Sequence, residues 1–277
     1  MPFAEFLMRA LNGFLGFFLL AFYFDNREKF RYLLIALLFA GIFTVLMGMY
    51  QGATGVVWQE RQTVGLVRAV GLYHDAFNFR FYCFQTIAAI LLYLSYFRPS
   101  RRWRIWALFT YALCWSYVAF NIYSKAAIVI ACLWIVVWAV LNRKIYYIFL
   151  IAVAIFGINQ ACSNRIFERT ETVFSKEIEF KQGEIQDSRR ILAGRGFIWE
   201  KNWQRWKELN PEEKIFGTAR FSGSHNEFLR ILVSSGIIGL MIYIFLMMII
   251  GWMLLSKLRF QRTAINIVAF MIFLMWL

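Results

Sequence analysis

Hydrophobic residues run in long blocks along this 277-residue chain, broken at near-regular intervals by short polar clusters. Apolar runs cover 3–24, 32–50, 78–97, 103–123, 126–142, 145–162 and 226–255, with a last run at 264–277. A helix that crosses a hydrocarbon core about 30 Å thick needs about 20 mostly apolar residues. The blocks therefore predict an all-α fold, a polytopic transmembrane helix bundle of about 7–8 spans. One stretch departs from the pattern. Residues 163–225 carry 12 basic and 10 acidic side chains, and a segment of that length is more than a connector. The expected organisation is six spans over 1–162, a helical loop over 163–225, and spans seven and eight over 226–277.

The loop has its own periodicity. Ser163-Asn164 is placed to cap a helix reaching Gln182. A second helix, about 188–209, puts Ile191, Leu192, Ile198, Trp199, Trp203 and Trp206 on one broad face, and Pro211 stops it. That Trp-rich face suits a membrane interface or the cover of a cavity.

Composition narrows the class. The chain is 61% hydrophobic and 17% charged, with a mean hydropathy of +0.56. Soluble domains are about 45–50% apolar and about 25% charged, and disordered chains are poorer still in apolar residues. A net charge of +14 would point to nucleic acid in a soluble protein, but its distribution says otherwise. The short connections at 25–31, 98–104, 143–144 and 257–262 hold 12 basic and 2 acidic residues, and the rest of the chain holds 18 and 14. Every second connection is basic, which places that set in the cytoplasm. Segments 51–77, 121–125 and 163–225 then face outward. The first span starts outside and the last has only 14 residues. Both ends are expected to continue in a longer polytopic protein, with a re-entrant first segment as the alternative.

Candidate chemistry gathers on the outer side. Ser224-His225-Asn226-Glu227 reads as a capping box, with Ser224 as N-cap and His225 and Asn226 in the first helical turn. The positive end of the helix dipole there disfavours imidazolium and leaves His225 able to accept a proton; a surface histidine beside a cap is the plainer alternative. Ser124 reads as the N-cap of the following span, which puts Lys125 at a helix start. A cation fits there when an anion is shared with the free N–H groups, or when it snorkels to the interface. Arg68 lies in an outer loop and Arg80 inside an apolar run, where arginine is expensive and marks function by default. Arg195, within Gly194-Arg195-Gly196, opens the Trp-rich helix. The four cysteines lack ligand-like spacing, His74 and His225 lack a metal constellation, and no Asp or Glu lies at mid-span to relay ions. One histidine and several outward cations fit an anionic lipid headgroup.

The order of these motifs resembles the O-antigen ligase and O-antigen polymerase superfamily of bacterial envelope glycosyltransferases. Arg68-Ala69-Val70-Gly71 with Asp75-Ala76-Phe77-Asn78 resembles its Arg-x-x-Gly segment before an Asn-bearing helix start. Ser124-Lys125-Ala126-Ala127 resembles its Ser-Arg-Gly/Ala-Ala turn, and Arg195-Gly196-Phe197-Ile198-Trp199 its Arg-x-x-x-Trp helix. Ser224-His225-Asn226-Glu227-Phe228-Leu229, followed by Gly236 and Gly239, resembles its His-Asn-x-x-Leu…Gly-x-x-Gly signature. Lys125 stands where the family usually has Arg, and Gly217-Thr218-Ala219 replaces a Gly-x-Gly.

The resemblance implies a metal- and cofactor-independent ligase at the periplasmic face of a bacterial inner membrane. It would move a glycan from undecaprenyl pyrophosphate to an acceptor hydroxyl, such as that of a lipid A core. His225 would be the general base; Arg68, Lys125 and Arg195 would hold the pyrophosphate; Ser224, Asn226 and Arg80 would support them. A polysaccharide polymerase and a protein-glycosylating relative are the near alternatives. A polytopic lipid or polysaccharide transporter and a non-catalytic membrane scaffold are the alternatives from other classes.

Overall fold

A computed structural model of the chain describes Phe22 and residues 26–56, 70–72, 76–121, 124–161, 165–184, 186–187, 195–218 and 226–276. The expected span at 3–24 lies outside this set except for Phe22. Among the described residues the regular elements are helices, with no strand. They are α1 (Arg27–Thr54), α2 (Ala76–Leu92) continuing into a π-helical turn (Tyr93–Phe97), α3 (Arg101–Asn121), α4 (Lys125–Leu141) and α5 (Tyr146–Ala161). Then follow α6 (Arg165–Lys181), α7 (Arg195–Glu208), α8 (Pro211–Phe216), α9 (Glu227–Phe260) and α10 (Ala264–Trp276).

The apolar blocks become helices almost where expected, but not all become membrane-length helices. Among the described residues α1, with 28, and α9, with 34, are long and apolar enough to cross a membrane. The helices α4, α5 and α10 are apolar but have 17, 16 and 13 residues. Two blocks end close to their expected limits, at turns that use left-handed backbone at arginine, Arg98 with φ 47° and Arg143 with φ 56°.

The chain forms two compact units: Phe18–Val173 with Leu254–Leu277, and Met1–Phe17 with Phe174–Met253. In the larger unit α1, α2 and α3 pack on one another, α10 packs on α2 and α4, and α5 packs on α4. Small residues set the approach. A Cβ on Gly41 would strike Thr86 and one on Gly48 would strike Phe79, so α1 lies close on α2 at both places. Phe79, Phe84, Ile87, Tyr117 and Trp134 fill the core. Trp134 Nε1 donates to the Met271 carbonyl at 2.8 Å, which ties α4 to α10. Buried Thr44, Thr86 and Thr110 return their hydroxyls to carbonyls one turn back, at 2.9, 2.8 and 2.9 Å. At the start of α1 the Arg27 guanidinium lies 5.1 Å from the Tyr96 ring and 5.7 Å from that of Phe97, fixing the end of α2 beside it.

On α5 the pattern differs from that of a soluble amphipathic helix: the buried residue is Asn159, while Phe149 is 70% exposed. Asn159 Oδ1 accepts from the Phe167 N–H at 3.1 Å, so it anchors the turn into α6.

In the smaller unit α7 ends at Glu208, close to its expected end; residues 188–194 of that expected helix lie outside the described set. Pro211 does more than stop it. It occupies the first turn of α8, where its missing N–H is no loss, and Asn210 Oδ1 caps that helix by accepting from Glu213 N at 2.7 Å. Trp203 and Trp206 stack at 5.0 Å.

Candidate functional site

In the larger unit three sequence-distant pieces meet at one end of the bundle, the end opposite Arg27. The first is Val70-Gly71, the close of the Arg68-x-x-Gly segment. Gln51, near the end of α1 and 1% exposed, holds it with its whole amide. Gln51 Oε1 accepts from Val70 N at 2.9 Å and Gly71 N at 2.8 Å, and its Nε2 donates to the Gly71 carbonyl at 3.0 Å. Gly71 has φ 59°, and a Cβ there would come within 2.9 Å of the Thr44 carbonyl and 3.2 Å of the Phe79 ring. Only glycine meets both demands. Arg68 itself lies outside the described residues.

The second piece follows Phe79. Arg80 in the second turn of α2 is 8% exposed, and its guanidinium lies 5.2 Å from the Phe81 ring. It does not snorkel away. Its Nη1 donates to Ser124 Oγ at 2.6 Å. Ser124 is the third piece. It is the N-cap residue of α4, as expected, with extended backbone and its carbonyl accepting from Ile128 N at 3.2 Å. Its hydroxyl, however, does not cap the helix; it is used by Arg80. The start of α4 therefore presents first-turn N–H groups that Ser124 does not cover, with half-buried Lys125 at the first helical position and Arg80 beside it. The positive end of the α4 dipole thus has a guanidinium bonded to its N-cap residue and a lysine at its first position, residue types suited to a multiply charged anion.

The smaller unit holds the other candidates that are described. Arg195 is the first residue of α7 and is exposed. Asn226 corrects the expected capping box. Its Oδ1 accepts from Leu229 N at 3.2 Å and its carbonyl from Arg230 N at 2.9 Å, the geometry of an N-cap. The helix begins at Glu227, so Asn226 stands before it as the N-cap residue and not in its first turn as expected. Asn is as good a cap as Ser, and Glu227 at the first position interacts with the dipole and pairs with Arg230. Ser224 and His225 themselves lie outside the described residues.

The glycines after the His-Asn motif have a clear structural task. Gly236 interrupts α9 with φ 67° and ψ −169°. A Cβ on Gly236 would strike the Ile215 carbonyl, and one on Gly217 would strike the Ser234 carbonyl. The end of α8 thus lies backbone against backbone in the break of α9. Thr218 secures it, donating from N and Oγ1 to the Val233 carbonyl, both at 3.1 Å. The segment before His225 and the helix after it are joined at this crossing.

Two contributors escaped the sequence reading. Gln51 opens the outward-expected segment 51–77 just after the apolar run 32–50, and its role depends on residues 19 and 20 positions away. Thr218 looked only like part of an altered Gly-x-Gly. No protein-family model, curated protein or solved structure matches the chain.

Proposed function

We propose that this chain is a multi-pass inner-membrane glycosyltransferase of O-antigen ligase type. Its lipid-pyrophosphate donor is bound at the periplasmic face. The donor is a glycan on undecaprenyl pyrophosphate, and the acceptor is a hydroxyl of a glycolipid such as a lipid A core. The seven or eight apolar blocks are its membrane segments, with the shorter helices completing their crossing through flanking polar turns. The single observation that carries the reading is the Arg80–Ser124–Lys125 cluster at the start of α4. It gathers positive charge at the start of α4, in the same unit as the Val70–Gly71 segment pinned by Gln51.

In this reading Lys125 and the α4 N–H groups bind the pyrophosphate, Arg68 adds a cationic contact, and Arg80 fixes Ser124 and supports Lys125. Arg195, at the start of α7 in the smaller unit, is the further cation that the resemblance assigns to the donor. Charge developing on the leaving pyrophosphate is neutralised in place. His225, which precedes Asn226 in the sequence, is the base assigned by the resemblance: it removes the acceptor proton as the new glycosidic bond forms and the bond from the sugar to the pyrophosphate breaks. Negative charge thereby passes from the attacking oxygen to the departing lipid pyrophosphate.

The test uses the full chain in proteoliposomes with a lipid-linked glycan donor, measuring release of lipid pyrophosphate together with glycan transfer. Lys125→Ala and Arg68→Ala should each lower turnover about 10²-fold, as loss of one charge-stabilising donor does. His225→Ala should lower it by about 10²–10⁴-fold. Full activity in all three folded variants overturns the assignment. Glycan movement across the bilayer without release of lipid pyrophosphate favours a transporter.

A further inference from the structure

In the larger unit, toward the basic turn that follows α4, the helices enclose a cavity of about 150 Å³. Its walls are largely aromatic: Tyr111 and Trp115 of α3, Trp134 and Trp138 of α4, and Tyr147 of α5, with Met271 of α10. Apolar cavities of this size stay dry and accept apolar ligands. The neighbouring outer surface is equally apolar, with Val136, Val140, Phe149 and Leu150 exposed.

The rim is charged, and the fold builds it from the wall itself. The turn Asn142-Arg143-Lys144 is bonded to carbonyls of the cavity's own helix: Asn142 N to Trp138 at 3.1 Å, Asn142 Nδ2 to Trp138 at 2.8 Å, and Lys144 N to Ala139 at 2.8 Å. Both Trp138 and Ala139 line the cavity. Lys144 Nζ lies 5.5 Å from the ring centroid of Tyr147, another wall. Arg143 and Lys144 remain exposed. The Tyr111 and Trp115 rings of the wall pack edge to face at 6.1 Å. An apolar hole with two exposed cations beside it describes one kind of ligand: an acyl chain with an anionic head. Basic pockets between membrane helices on the cytoplasmic side recognise such lipids.

We infer that this cavity binds an anionic phospholipid from the leaflet on the basic side, with a short length of its acyl chain seated between the aromatic walls and its phosphate at Arg143 and Lys144. The inference rests on the chain lying in a bilayer and is independent of the transferase reading.

The purified full chain in detergent would be titrated with dioleoyl phosphatidylglycerol and, separately, dioleoyl phosphatidylcholine, and bound lipid counted by native mass spectrometry. A preference of about 30-fold for the anionic lipid is expected from two basic residues at the membrane surface. The double variant Arg143→Gln/Lys144→Gln, altered only at exposed positions, should bring the preference close to one. Ile151→Trp, at the cavity wall, should reduce retention of either lipid. A phosphatidylglycerol carrying a diazirine on its acyl chain should crosslink mainly to α4 and α5. Equal retention of the two lipids, an unchanged preference in the double variant, or crosslinks spread evenly over the helices would each overturn the inference.

Discussion

Gln51 is buried in an apolar helix, where an amide must find partners within the protein or not be there at all. It finds three, all on the backbone of Val70 and Gly71. Gln51→Leu strands two buried N–H groups and a carbonyl at about 1–3 kcal/mol each. The variant should therefore lose at least about 3 kcal/mol of thermal stability in detergent, and protease should cut near residue 70. An unchanged melting curve would show that the three bonds are dispensable. The smaller unit offers a sharper contrast between neighbours. Asn226→Ala should destabilise by about 1 kcal/mol, the usual worth of an N-cap, while Ser224→Ala should do less. The reverse order in a denaturation series would restore the capping box. Ser-x-x-Glu was legible in the sequence, but so was Asn226, and two good caps two residues apart cannot be ranked without the first hydrogen bond. Ser124 shows the same limit. Its place before α4 was readable from the apolar run behind it, whereas the use of its hydroxyl depends on Arg80, 44 residues earlier.

Helices were the legible elements because long apolar runs have few other ways to satisfy their backbone. What the runs concealed was their interruptions. The expected seventh span, 226–255, contains the break at Gly236, and no property of a glycine in an apolar run separates a packing glycine from one at φ 67°. Gly41 and Gly48 are the packing kind, making room for α2. Gly236 is the other kind. Its dihedrals lie in a region essentially reserved for glycine, and any Cβ would meet the Ile215 carbonyl. Gly236→Ala should cost at least about 1–3 kcal/mol and release Ile215–Thr218 from α9, seen as faster amide exchange at Thr218. Protection of Thr218 equal to that of the parent would mean that α9 absorbs the change elsewhere.

Across the whole molecule the distribution of polarity is turned outward-apolar. Thr44, Gln51, Thr86, Thr110 and Asn159 are buried, while Phe245, Met248 and Trp252 of α9 are 59%, 60% and 74% exposed. A soluble protein does not leave such a surface uncovered. Phe245→Lys, near the middle of α9, places a charge where it costs about 2.5–3.5 kcal/mol in a bilayer. The variant should be lost from alkali-washed membranes, while Trp252→Tyr should remain. Equal recovery of Phe245→Lys and the parent would place that face in water or against protein. Apolar run length was readable early, because it is a sum over many residues: α1 and α9 are long and apolar enough to cross a membrane. The turn between α4 and α5 was less readable, since it rests on the left-handed backbone of Arg143 and on bonds from Asn142 and Lys144 back to α4. The crossing of Gly217 and Gly236 has a practical consequence for engineering. A chimera that exchanges only 195–218 would import a segment whose seat is carved in the partner helix. Loop and helix have to travel together, as one cassette from 195 through Gly239, and a tag or fluorescent insertion belongs outside it.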